Sequence, residues 1–114
     1  MAADCIFCKI VNKEVDAEIV YEDRDIVAFK DISPVAPVHL LVVPRRHIPA
    51  LMDLKQDDAA LIGQMHLVAN DLARTFELDQ RGYRVVINCG KDAGQAVFHL
   101  HLHLLGGRAL QIMG

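Results

Sequence analysis

With 114 residues, 53% of them hydrophobic and 24% charged, the chain has the size and balance of one globular domain with a proper core. A net charge of −3 and a sequence pI near 6.0 exclude a general nucleic-acid binder, whose surface is basic. No apolar run nears the roughly 20 residues of a membrane span, no secretory leader opens the chain, and three cysteines suit a reducing compartment; a single cytoplasmic domain over residues 1–114 is expected.

In chain order, Asp4 to Val11 reads as a short helical turn, with Phe7, Ile10 and Val11 on one side. It carries Cys5-x-x-Cys8. That spacing serves half of a zinc site, a redox pair or two buried thiols. The redox reading is the weakest, because no strand precedes the pair. Glu18–Tyr21 and Ile26–Lys30 are short β-rich runs around the acidic turn 22–25, which predicts a hairpin. Residues 31–37 form a loop made rigid by Pro34 and Pro37, and Asp31 opens it. An aspartate there suits a binding edge or a solvated turn equally.

Val38–Val43 is a nearly continuous apolar run, hence a central strand ended by Pro44. His39 interrupts it; a lone histidine in such a strand is more often a hydrogen-bonded core residue than a catalyst. Arg45-Arg46-His47 follows as a polar segment. Gln56–Phe76 is the one long helix, with Leu61, Met65, Val68, Leu72 and Phe76 recurring at three and four residues, and Asp53 with Gln56 predicts a capping box at its start. Leu67 lies on its polar side and suits either simple exposure or a dimer contact. Tyr83–Asn88 predicts another strand. The loop 89–96 holds Gly90 and Gly94, which let main-chain N–H groups approach an anion, although an ordinary hairpin loop has the same composition.

The loop leads into Phe98-His99-Leu100-His101-Leu102-His103-Leu104-Leu105, where three histidines alternate with leucines at the period of a β-strand. The leucines face a core and the imidazoles line the other side. These elements make an α+β domain: an antiparallel sheet of about five strands with one long and one short helix. A face of three titratable rings has a chemical use. A phosphoryl centre needs a neutral nucleophile already in place and donors around its oxygens; imidazole Nε2 supplies the first, and neighbouring rings, Asn88 and the glycine loop supply the second. Nothing in this chemistry requires a redox cofactor.

His99-Leu100-His101-Leu102-His103-Leu104-Leu105 resembles the signature of the histidine triad superfamily. Asp31-Ile32-Ser33-Pro34, His39, Val43-Pro44, Gly82-Tyr83-Arg84, Asn88, Gly94-Gln95 and Gly106-Gly107-Arg108 extend the likeness to its nucleotide-binding branch, along nearly the whole chain. The resemblance implies a HIT-like fold and hydrolysis of purine nucleoside 5'-phosphoramidates and aminoacyl-type adenylates to AMP. By position, it implies His101 as the nucleophile, His103 on the phosphate, and His99 and His39 in support. Asn88, Gly94 and Gln95 would surround the phosphate or leaving group. Asp31 would hold the ribose hydroxyls, and Phe7, Ile10, Phe29 and Ile32 would wall the purine. A homodimer is implied, as is a structural zinc on Cys5, Cys8, His47 and His99. Ala96 stands where many members have a serine, and the tail lacks the tryptophan of animal members, so a different leaving-group preference is expected. Two other classes compete with the hydrolase: a nucleotide-binding regulatory or scaffold protein with incidental catalysis, and a metalloenzyme with zinc on the triad itself.

Overall fold

The structure, a computed structural model, describes residues 4–113; residues 1–3 and 114 of the expected domain span lie outside the described residues. The chain runs α1 (Ile6–Val11), β1 (Ile19–Glu22), β2 (Ile26–Lys30), β3 (Val38–Pro44), α2 (Ala59–Thr75), β4 (Tyr83–Val86) and β5 (Leu102–Gly106). The five strands form one antiparallel sheet in the order β1-β2-β3-β5-β4. Among the described residues, no helix is long and apolar enough to cross a membrane.

The continuous apolar run of β3 is explained by its place at the centre of the sheet, covered on both faces. Leu40 and Val42 join Ile26, Ala28, Leu102 and Leu104 in the larger core under α2, with Met65, Val68, Ala69 and Leu72 from the helix. Leu41 and Val43 face the other way, with Val27 and Phe29, into a smaller cluster closed by Phe7, Ile10 and Val11 of α1. Period two sorts every strand residue onto one face or the other. On β5 it sends Leu102 and Leu104 under α2 and His103 to the α1 side. Burying each leucine stabilises the sheet–helix contact by about 2 kcal/mol. At the β1–β2 turn, Asp23 Oδ1 accepts from the N–H groups of Asp25 and Ile26, both at 2.8 Å, which accounts for the acidic turn.

Beyond one-residue shifts at β1 and at the end of α2, three boundaries differ from the sequence-based expectation, each for a local reason. The histidine strand begins at Leu102 rather than Phe98, because β5 pairs with β3 only from Val42↔Leu102 onward. Before that point the ladder is replaced: the Pro44 carbonyl takes a hydrogen bond from His99 Nε2 at 2.7 Å, and Leu100 N–H donates to Ile48 O at 2.6 Å. Since β5 starts there, β4 loses its partner after Val86 and stops short of Asn88. The predicted capping box on Asp53 is absent. Asp53 belongs to a separate 3₁₀ turn (Leu51–Asp53), a second turn covers Gln56–Asp58, and Asp58 Oδ2 accepts from Lys55 N–H at 2.9 Å. Arg46 pairs with the same carboxylate, tying the end of β3 to the start of α2.

Candidate active site and metal cluster

His101 and His103 sit at the N-terminal end of β5, with ring centroids 4.9 Å apart. Their tautomers follow from their partners. His101 Nδ1 lies 2.7 Å from the carbonyl oxygen of His99, which can only accept. Nδ1 therefore carries the hydrogen, and in the neutral ring Nε2 carries the lone pair. The ring is fixed further by Phe7, edge-on at 5.1 Å and 87°, itself braced by Phe29 at 5.4 Å.

His103 is oriented by a longer chain of hydrogen bonds. Val35 N–H donates to His39 Nδ1 at 3.2 Å, so the hydrogen of neutral His39 is on Nε2. That nitrogen donates to His103 Nδ1 at 2.9 Å and lies 3.4 Å from Asp31 Oδ2. His103 then keeps its own hydrogen on Nε2, free to donate. The site thus pairs a lone-pair nitrogen on His101 with an N–H donor on His103. His39 is both a buried core residue and part of the relay.

Burial, with the neighbouring His101 and His39 rings, pushes His103 down to about 4, against the partial counter-effect of Asp31. Burial also lowers His39 and His99. A histidine whose folded pKa is depressed binds protons less readily folded than unfolded, so its stability contribution is complete above the unfolded value and is lost as pH falls. The unfolding midpoint should hold between pH 8 and 7 and decline from roughly pH 6.5 toward 4, with carboxylates adding to the loss below about pH 5. Thermal melts across this range check it. A His103→Gln variant should show a shallower decline, and an equal slope would contradict the assignment.

The expected nucleotide contacts fall into two groups. Asp31 opens the loop after β2; its Oδ1 accepts from Ser33 N–H at 2.8 Å, and its side chain remains one-fifth exposed. Phe7, Ile10 and Phe29 come together beside His101, but buried, while Ile32 is 93% exposed. Gly90 and Gly94 take φ of +88° and +85°, which only glycine adopts without strain. Gln95 shapes this loop: its Oε1 accepts from Gly90 N–H, and its amide hydrogens go to Pro49 O at 2.8 Å and Val97 O at 3.1 Å. No hydrogen of its amide is left for a phosphate in this state. Asn88 makes no side-chain hydrogen bond among the described residues and is half-buried.

Across His99 from this site lies a second cluster. Cys5 caps α1, its Sγ accepting from Cys8 N–H at 3.3 Å, so both sulfurs face the same side. Cys5 Sγ and Cys8 Sγ each stand 3.4 Å from His99 Nδ1, and Cys8 Sγ stands 3.2 Å from His47 Nδ1. Tetrahedral zinc bonds of about 2.3 Å to sulfur and 2.0 Å to nitrogen place such donors roughly 3.5 Å apart. All four ligand atoms lie within 4.8 Å of one another. His99 Nε2–H donates to Pro44 O, which leaves the Nδ1 lone pair toward the sulfurs, as a ligating histidine requires. Burial and the adjacent Cys5 push the Cys8 thiol up to about 11, so a metal must displace its proton. The residues present fit a zinc ion. Asp31, His39 and His103 also bring ligand atoms within 4.8 Å. There, however, the Val35 N–H holds His39 in the tautomer whose Nε2 is protonated and unavailable. His99 supports His101 through its main-chain carbonyl; its ring belongs to the thiol cluster. Sequence reasoning missed Val35 N–H, the Pro44 and His99 carbonyls and the bracing role of Gln95; main-chain groups leave no side-chain signature.

Fold and site together define a histidine triad protein: an antiparallel sheet bearing alternating imidazoles, with opposite tautomers at adjacent functional rings. The family model described as HIT domain matches residues 12–110, and the chain belongs to that family. It is 48% identical over 108 residues to an uncharacterized HIT-like protein of Synechocystis, covering 95% of this chain and 94% of that one. The crystal structure of a HIT family hydrolase from Legionella pneumophila is 46% identical, with TM-score 0.92 and coverage of 94% and 96%. That of a histidine triad nucleotide-binding protein from Candida albicans is 30% identical, with TM-score 0.80 and coverage of 96% and 86%. At the level of the family, the chain is placed among hydrolases.

Proposed function

We propose that the chain hydrolyses purine nucleoside 5'-phosphoramidates and aminoacyl-type adenylates to AMP through a nucleotidyl–His101 intermediate. The observation that carries this reading is the His101 Nδ1–H···O=C bond to His99, which leaves Nε2 as an unprotonated nucleophile in a neutral ring. Nε2 attacks the α-phosphorus and the P–N or P–O bond to the leaving group breaks, its electron pair going to the leaving atom; an amine takes its proton from solvent, and a carboxylate leaves as the anion. Water then cleaves the phosphorus–His101 bond and releases AMP. His103 Nε2–H is placed to donate to the phosphate or the leaving group. Asp31, one-fifth exposed, would turn the remaining acceptor capacity of its carboxylate to the ribose diol. A purine would enter between the Asp31–Ile32 rim and the Phe7–Phe29 wall.

The zinc proposed for Cys5, Cys8, His47 and His99 is structural and joins α1 to the sheet. The reading includes a homodimer formed along the sheet edge at β4, where Tyr83 bonds Asn70 of α2, a helix whose Leu67 is 57% exposed. Single-turnover reaction with an AMP phosphoramidate labelled at phosphorus tests the chemistry. Transient label on the chain and AMP release are expected, with adenosine and guanosine substrates cleaved well ahead of cytidine. Release with no labelled intermediate under rapid acid-free quench would contradict the covalent route. Binding with no release at all would favour the scaffold reading.

A further inference from the structure

We infer that the cysteine–histidine cluster governs the nucleophile as well as the fold, with Phe7 as the positioning residue that links them; this rests on the metal and hydrolase readings above. Two separate paths lead from the cluster to His101. The first is His99, fully buried, whose ring Nδ1 faces the sulfurs while its carbonyl holds His101 Nδ1–H at 2.7 Å. One residue thus belongs to the metal cluster through its ring and to the active site through its backbone.

The second path is α1. Phe7 lies between Cys5 and Cys8 in the same helical turn, and its ring meets His99 at 6.1 Å and His101 at 5.1 Å, edge-on to both. A helix of six residues has no stability of its own. What keeps it in place is the thiol cluster and the apolar contacts of Phe7, Ile10 and Val11.

The other half of the cluster is secured independently. Leu100 N–H bonds Ile48 O beside His47, Gln95 bonds Pro49 O, and Arg46 pairs with Asp58. Removing a metal therefore loosens the cysteine side first. As Cys5 and Cys8 come free, Phe7 loses its fixed seat against His101, and the imidazole gains alternative orientations. The consequence is kinetic: the ring attacks less often in the productive geometry, while the nucleotide contacts at Asp31 remain.

The test uses the full chain loaded with zinc and the same chain after chelation, at a temperature where circular dichroism shows both folded. The expected result is that chelation broadens or removes the low-field NMR signal of the His101 Nδ1 proton. It should lower kcat about 10-fold. Phe7→Leu should reproduce the lost signal and the lowered kcat while retaining one zinc per chain. Ile6→Ala, on the exposed side of the same helix, should match the parent protein. A His101 proton signal and kcat indifferent to zinc, or a Phe7→Leu variant with both unchanged, would overturn the inference. A chain that takes up no zinc would overturn it together with the metal reading. Zinc uptake with a responsive His101 signal but no cleavage of any phosphoramidate would support it, and would count against the hydrolase reading alone.

Discussion

A His101→Ala variant is expected to lose on the order of ten-thousandfold or more in kcat for AMP phosphoramidates, with no labelled protein intermediate, while its Kd for AMP stays within about threefold. The size follows from the role. Removing a covalent nucleophile abolishes the route itself, and what survives is the acceleration supplied by binding and by hydrogen-bond donors. His103→Ala should cost less, about a hundredfold to a thousandfold, because it deletes one donor at the developing charge and leaves the nucleophile. The order of the two effects is more diagnostic than either number. The tautomers require it: only His101 presents an unprotonated nitrogen, while His103 presents an N–H relayed from Val35 through His39. A larger loss for His103→Ala than for His101→Ala would mean that the roles are exchanged. Thermal melts accompany both measurements, since His101 is buried against Phe7 and its truncation leaves a cavity.

Much of this arrangement was legible in the chain because it is written in side-chain periodicity. The unbroken apolar run of Val38–Val43 announces a strand covered on both faces, and the alternation from Leu100 to Leu104 puts leucines in one core and imidazoles beside the other. The three- and four-residue stripe of α2 is equally plain. What escaped was set by main-chain groups. The β5 boundary depends on the carbonyls of Pro44 and Ile48 finding partners outside the ladder. Ahead of α2, the Lys55 N–H is taken by Asp58, already paired with Arg46, and not by Asp53, so a 3₁₀ turn precedes the helix. The resemblance set Gln95 beside the phosphate or leaving group; what no sequence feature announces is that its buried amide also braces the loop through three main-chain partners. The tautomer of each histidine likewise depends on a neighbour with no side-chain identity.

Removing a bound metal should lower the unfolding midpoint by more than about 10 °C, and Cys5→Ser with Cys8→Ser should make the midpoint insensitive to chelator. The cluster joins residues far apart in sequence: α1 at the start, His47 after β3 and His99 before β5. A ligand that binds only the folded chain stabilises it by about 4 kcal/mol when free at a thousand times its Kd. Structural zinc sites bind tightly enough for that excess at micromolar metal, even after protons are displaced from the thiols. For a domain of this size each kcal/mol shifts the midpoint by roughly 4 °C, so a shift near 15 °C is the expectation and 10 °C a conservative floor. The same measurement separates the two groups of potential ligands. If zinc sat on Asp31, His39 and His103, a His39→Ala variant would lose the metal and the double cysteine variant would keep it. The donor chemistry predicts the reverse. His99 offers Nδ1 to the sulfurs because Pro44 holds its other nitrogen, whereas the Val35 N–H keeps the proton of His39 on the nitrogen that a metal would need. A midpoint unmoved by chelation in a protein shown to have carried one zinc would mean that the apolar contacts of Phe7, Ile10 and Val11 hold α1 by themselves.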